Sequence, residues 1–162
     1  MMIRKYKKIA ISIVILVVCF GGLNIYLKSK KESIKIDKSF NSAVAIKDNK
    51  LREKVTIAID GKLSDTHFNY RYLKYSKDLK GTVVLNGEKY NISASTFPKD
   101  KTINGVLTKG SNTLSSDLSV VISEDFKQIC VYKGDYIISA PADTVDEVNA
   151  IYNNIVDIPI KN

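Results

Sequence analysis

The chain has one histidine, two cysteines and no tryptophan in 162 residues. These scarcities remove whole classes of chemistry. A lone imidazole, His67, makes neither a catalytic triad nor a zinc site without partners of other kinds. Two cysteines, Cys19 and Cys130, cannot staple a small secreted fold, so the chain lies outside the disulfide-rich class. No H-E-x-x-H, C-x-x-C, phosphate-cradling glycine loop or calcium-loop pattern occurs. No metal site, no cofactor and no catalytic residue is therefore assigned.

Acidic residues are absent before Glu32, and basic blocks are absent from the body of the chain. The net charge of +8 suggests nucleic acid at first sight. Its distribution does not, because the excess sits around the N-terminal apolar run. From Phe40 onward Lys and Arg number 16 against 15 Asp and Glu. Nucleic-acid binding needs the charge concentrated on the folded domain, so it is excluded as a partner class.

What is present is one long apolar run, Ile9 to Leu27. As a helix it extends roughly 28 Å, close to the hydrocarbon thickness of a bilayer. Tyr6 and Tyr26 bracket it at the depth where amphipathic rings settle. A cleaved signal would need small residues before a cut site, and the run ends in Leu23-Asn24-Ile25-Tyr26-Leu27-Lys28 instead. Lipidation at Cys19 is disfavoured by the bulky Val18 before it. The reading is a retained anchor with the lipid bilayer as partner of residues 9–27. Four basic residues flank each side, Arg4, Lys5, Lys7 and Lys8 against Lys28, Lys30, Lys31 and Lys35. The short N-terminal tail breaks the tie, since a long C-terminal domain translocates largely regardless of charge. The expected layout is a cytoplasmic basic tail at 1–8, a transmembrane anchor at 9–27, a juxtamembrane stalk at 28–39 and an extracytoplasmic domain at 40–162.

About 120 residues suffice for one domain with its own core. Phe40, Val44, Lys47 and Leu51 share helical spacing, which suggests a short amphipathic helix weakened by Asp48-Asn49. From Val55 the period becomes two, through Ile57 and Ile59 to the turn signal Asp60-Gly61. Residues 66–79 fit a strand and a helix equally: Phe68, Tyr70 and Tyr72 alternate, while Phe68, Tyr72, Tyr75 and Leu79 form a helical stripe. Asn86-Gly87 between strand-like runs is a hairpin turn, because both turn residues take positive φ. Further strands are expected at Ile103–Thr108, with Gly105 a candidate bulge, at Leu118–Ser123, and as a hairpin of Gln128–Tyr132 and Tyr136–Ala140. Thr144 and Glu147 fit a capping box, followed by an apolar stripe of Val145, Val148, Ile151, Tyr152 and Ile155. The fold class is α+β: an N-terminal transmembrane helix, then a mainly antiparallel sheet of five to seven strands with a C-terminal helix packed on it.

Three sets of residues are candidates for chemistry. His67 and Cys130 have a spacing similar to that in sortase transpeptidases, but residues 126–130 read Phe-Lys-Gln-Ile-Cys, and no arginine follows Cys130 to steady an oxyanion. The acids Asp117, Glu124, Asp125 and Asp135 fall at expected strand ends and turns. Tyr70, Tyr72 and Tyr75 cluster beside Arg71 and Lys74, and are the candidates for an aromatic binding face toward a peptide or polymer.

The order of anchor, lysine stalk, Leu79-Lys80-Gly81-Thr82-Val83-Val84-Leu85-Asn86-Gly87, Ile122-Ser123-Glu124-Asp125-Phe126-Lys127 and Ala140-Pro141-Ala142-Asp143-Thr144 resembles small membrane-anchored extracytoplasmic proteins of Gram-positive bacteria. The resemblance implies an anchored outer domain at the cell envelope and carries no functional residue. The expectation is an interaction or accessory module, with an envelope protein or cell-wall polymer as partner. The alternatives are a thiol- or carboxylate-based envelope enzyme, sortase-like at the nearest, and a subunit of an envelope complex.

Overall fold

A computed structural model describes residues 2–96, 98–110 and 118–156, with side chains from residue 11 onward. The chain divides into two compact units, the first ending at Glu32 and the second beginning at Ser33.

The first unit is one helix, α1 (Met2–Ser29). Its window Ile11–Ser29 has a mean hydropathy of 2.1 and is not buried in the protein. Two of its polar side chains bond to the helix itself. Asn24 Nδ2 donates to the Phe20 carbonyl at 3.0 Å, and Ser29 Oγ to the Tyr26 carbonyl at 2.7 Å. Internal satisfaction of this kind is what an apolar surrounding demands.

The second unit contains β1 (Ser33–Lys47), β2 (Lys50–Asn69), β3 (Lys74–Leu85), β4 (Glu88–Thr96), β5 (Thr102–Thr108), β6 (Leu118–Ser123), β7 (Ile129–Lys133), β8 (Tyr136–Ala140) and α2 (Val145–Ile155). The eight strands run antiparallel in chain order and close into a barrel. The closing seam pairs Val44–Lys47 of β1 with Tyr136–Ser139 of β8. Closure removes both sheet edges, whose unpaired amides would otherwise template association. The α+β class and the C-terminal helix are as the sequence implies. The sheet, however, has eight strands among the described residues rather than five to seven.

The difference arises between residues 28 and 51. The expected stalk is strand from Ser33 onward, where Ser33 pairs with Ser64. The expected helix over Phe40–Leu51 is instead the β1–β2 hairpin. A register shift between Phe40 and Ala43 switches the parity of β1. Phe40, Ala43 and Ala45 face the interior, while Val44 and Ile46 face outward. Such a bulge adds one residue and breaks the period-two alternation that would mark β1 as a strand. Asp48 and Asn49, at φ 52° and 56°, form the turn. Asn86 and Gly87, at φ 49° and 87°, repeat the same device between β3 and β4. Residues 66–79, ambiguous in sequence, are strand on both sides of a turn at 70–73.

The interior is filled by apolar side chains. Ile57, Ile59, Leu79, Val83, Ile103, Leu107, Val120, Ile122, Ile129 and Val131 are each at most 1% exposed, so almost none of their surface is open to water. Eight-stranded barrels either fill in this way or hold one small ligand. Filling is tight at Gly105. It shows no register shift and faces Ala94 across the ladder, and a Cβ there would strike the Ala94 side chain and the Ser93 carbonyl. Gly105 is therefore a point of close strand approach, not a bulge.

α2 covers part of the outer wall. Val148, Ile151, Tyr152 and Ile155 pack on Val44, Ile46, Val121, Cys130 and Ile137. Strands under the helix are consequently buried on both faces and, Ser139 apart, apolar on both, as in the runs 120–122, 129–131 and 137–140, whereas β2 and β4 alternate. Thr144 Oγ1 accepts from the Glu147 amide at 3.3 Å, and Glu147 Oε2 accepts from the Thr144 and Asp143 amides at 3.2 and 2.7 Å. The capping box thus starts the helix where the sequence places it.

Candidate functional site

Antiparallel order sorts the connections between two ends of the barrel. The start of β1 and the turns at 70–73, 98–101 and 124–128 lie at one end. The turns at 48–49, 86–87 and 134–135 lie at the other.

His67 and Cys130 are not brought together. Cys130, Ser139, Val44 and Lys54 form one row across β7, β8, β1 and β2. His67 lies 13 residues beyond Lys54 on β2, about 40 Å of strand. Cys130 is fully buried under α2, and burial pushes its thiol up to about 12, offset in part by the Ser139 hydroxyl. The thiol is held protonated and enclosed, the opposite of what a nucleophile needs.

The turn acids serve turns. Asp125 accepts from Ser123 Oγ at 2.7 Å and from the Lys127 amide at 3.1 Å, and pairs with Lys127 Nζ at 3.0 Å. The Ser123 hydroxyl and then Lys127 hold its carboxyl at about 2. Asp117 lies outside the described residues. Asp135 meets a partner that no sequence motif selects, Asp48. Their hydrogen bond raises the pKa of Asp48 and lowers that of Asp135, because two adjacent carboxylates resist ionising together. The seam between β1 and β8 makes this pair by bringing turn 48–49 beside turn 134–135. No local sequence signal marks a contact between turns so far apart. Among the described residues no group of three or more His, Cys, Asp or Glu is placed to hold a metal ion.

Two surface features of the described residues bear on the candidate residues. An open cleft of about 740 Å³ at the first barrel end is lined by Lys101, Ser123, Glu124, Asp125, Lys127 and Asn154, among others. Asn154 Nδ2 donates to Gln128 Oε1 at 3.0 Å, tying α2 to the β6–β7 turn beside it. The sequence marks Glu124 and Asp125 as turn acids but gives no sign of Lys101 and Asn154, which arrive from other connections.

The second feature is the β2–β3 hairpin tip, at the same end. Phe68 packs edge-on against Tyr70 and Tyr75, with ring centroids 5.1 and 5.0 Å away. Burial and Asp65 raise the Tyr75 hydroxyl. The Arg71 guanidinium lies 5.7 Å from the Tyr72 ring. The Asn69 side chain accepts from the Arg71 amide at 3.0 Å and shapes the turn. The three candidate tyrosines thus share one hairpin end, with Tyr70 and Tyr72 exposed and Tyr75 half-buried.

Among the described residues the second unit is an up-and-down barrel of eight strands with one helix on its outer wall, and an apolar helix precedes it in the chain. No protein-family model, no curated protein and no solved structure matches the chain. One helix near the N-terminus is long and apolar enough to cross a membrane, and a signal sequence meets the same description.

Proposed function

We propose that the chain is a single-pass membrane protein of the cell envelope. In this reading α1 is a retained anchor with the N-terminus in the cytoplasm, and the barrel is an extracytoplasmic interaction or accessory module. One observation carries the second half of the reading: the barrel interior is occupied by its own side chains, which leaves the outer surface to do the binding. The partner would be another envelope protein, met at the first barrel end. There the mixed-charge cleft offers a polar surface lined by Lys101, Glu124, Asp125 and Lys127. The retained anchor is supported by the length and apolarity of Ile11–Ser29, none of it buried.

Membrane fractionation of the full chain tests the anchor. It is expected to stay in the pellet after alkaline carbonate washing, and its barrel to be cut by protease added outside intact cells once the wall is removed. Recovery in the carbonate supernatant, or protection of the barrel until the cells are lysed, would overturn the reading. Crosslinking of the full chain in membranes tests the module. A discrete adduct lost on Lys101→Glu with Lys127→Glu is expected, and a monomer with no adduct counts against it.

A further inference from the structure

We propose that the tip of the β2–β3 hairpin, residues 70–74, is a second membrane contact that seats in the headgroup layer of an anionic bilayer. This rests on the reading of α1 as a retained span.

The tip presents amphipathic groups outward. Tyr70 is 54% exposed, Tyr72 38% and Leu73 75%. Leu73 also sits at φ 51°, the left-handed region that a leucine rarely occupies. A strained backbone that displays a leucine to solvent points to a surface that covers it. Tyrosine and leucine beside arginine and lysine are the groups that settle at a membrane interface.

Charge favours the same occupant. No acid stands between Asp65 and Asp78, a stretch that contains Arg71, Lys74 and Lys77. Lys28, Lys30, Lys31 and Lys35 lie at the end of α1 and just after it. Anionic headgroups attract such clusters over about a Debye length.

Reach follows from the chain itself. Ser33, the first residue of β1, pairs with Ser64, and β2 continues five residues further to Asn69. The hairpin therefore runs about 16 Å past Ser33. Back along the chain from Ser33 to Ser29, the last residue of α1, the link spans at most about 14 Å. β1 enters the barrel from the end toward which the tip projects. Chain length alone thus lets the tip reach the surface at which residue 29 leaves the bilayer.

The absence of tryptophan makes a direct test available. Tyr72→Trp places a sole tryptophan at the tip, and Lys89→Trp places one at the opposite barrel end. Each full-length variant is reconstituted into phosphatidylcholine vesicles containing one quarter phosphatidylglycerol, with and without brominated acyl chains. Tyr72→Trp emission is expected to be quenched about twofold or more, with a blue shift, and Lys89→Trp emission to be unaffected. Adding Arg71→Glu and Lys74→Glu to the Tyr72→Trp protein should reduce its quenching. A Tyr70→Trp variant gives the same readout should the first fail to fold. Protein that resists carbonate while its tip tryptophan stays unquenched would overturn the hairpin contact and leave the anchor standing. Release of the protein by carbonate would overturn the anchor and this contact together.

Discussion

Cys130 shows how burial decides the fate of a reactive group. Its neighbours Ile129 and Val131 point into the barrel, while its own thiol points out beneath α2. With the thiol pushed up to about 12, neutral thiol reagents should leave Cys130 unmodified in the native protein and label it only after unfolding. Mass spectrometry of a Cys19→Ser variant reads this directly, and native labelling at Cys130 would contradict the packing. Asp125 behaves in the opposite sense. Its carboxyl is held at about 2 against an ordinary 3.8 by Ser123 and Lys127, so the folded state prefers the ionised form. The stability it contributes is present above about 4 and is lost as the pH falls through about 2. Asp125→Asn should flatten the acid limb of the stability curve over that window. Denaturant titrations at stepped pH check it, and an unchanged acid limb would count against the assignment.

At the scale of elements, legibility depends on whether the controlling interaction is local. The capping box at Thr144 and the turn at Asn86-Gly87 are made by residues adjacent in sequence, and both stand where the pattern places them. Thr144→Ala should cost about 1 kcal/mol of stability by leaving a helix amide without its acceptor, measurable by urea denaturation of the barrel. The β1–β2 hairpin reads as a helix because a bulge at Phe40–Ala43 breaks the alternation that identifies a strand. Asp48-Asn49 interrupts that apparent helix because it is a two-residue turn with positive φ. The span 66–79 has no unique local solution, since Phe68 and Tyr72 belong both to a period-two run with Tyr70 and to a helical stripe with Tyr75. Only the pairing of Phe68 with Tyr75 and of Asn69 with Lys74 makes it a hairpin. Gly105 likewise has the look of a bulge, but its requirement is clearance. Gly105→Ala should cost about 1–3 kcal/mol through overpacking against Ala94 and Ser93.

At the scale of the whole molecule, α2 and the barrel seam support one another. Val44 and Ile46 pair with β8 through their backbones and pack under α2 through their side chains. A chain ended after Asp143 would expose Val44, Ile46, Val121, Cys130 and Ile137 together, a contiguous apolar patch on the outer wall. Such a chain should self-associate in light scattering and become labelled at Cys130 without denaturant. A monodisperse, unlabelled product would show that the helix is dispensable.

The linear order of residues determined what depends on neighbours and on composition. It set the apolar helix and its basic flanks, the antiparallel character of the body, two of the tight turns and the capped terminal helix. It even encoded the helix-covered wall, in the doubly apolar runs of β6, β7 and β8. Tertiary structure alone decided what depends on partners distant along the chain: closure of β1 on β8, the meeting of Asp48 with Asp135, and the separation of His67 from Cys130. The reason is that ladder hydrogen bonds and side-chain packing select among registers that local propensity leaves nearly equal in energy.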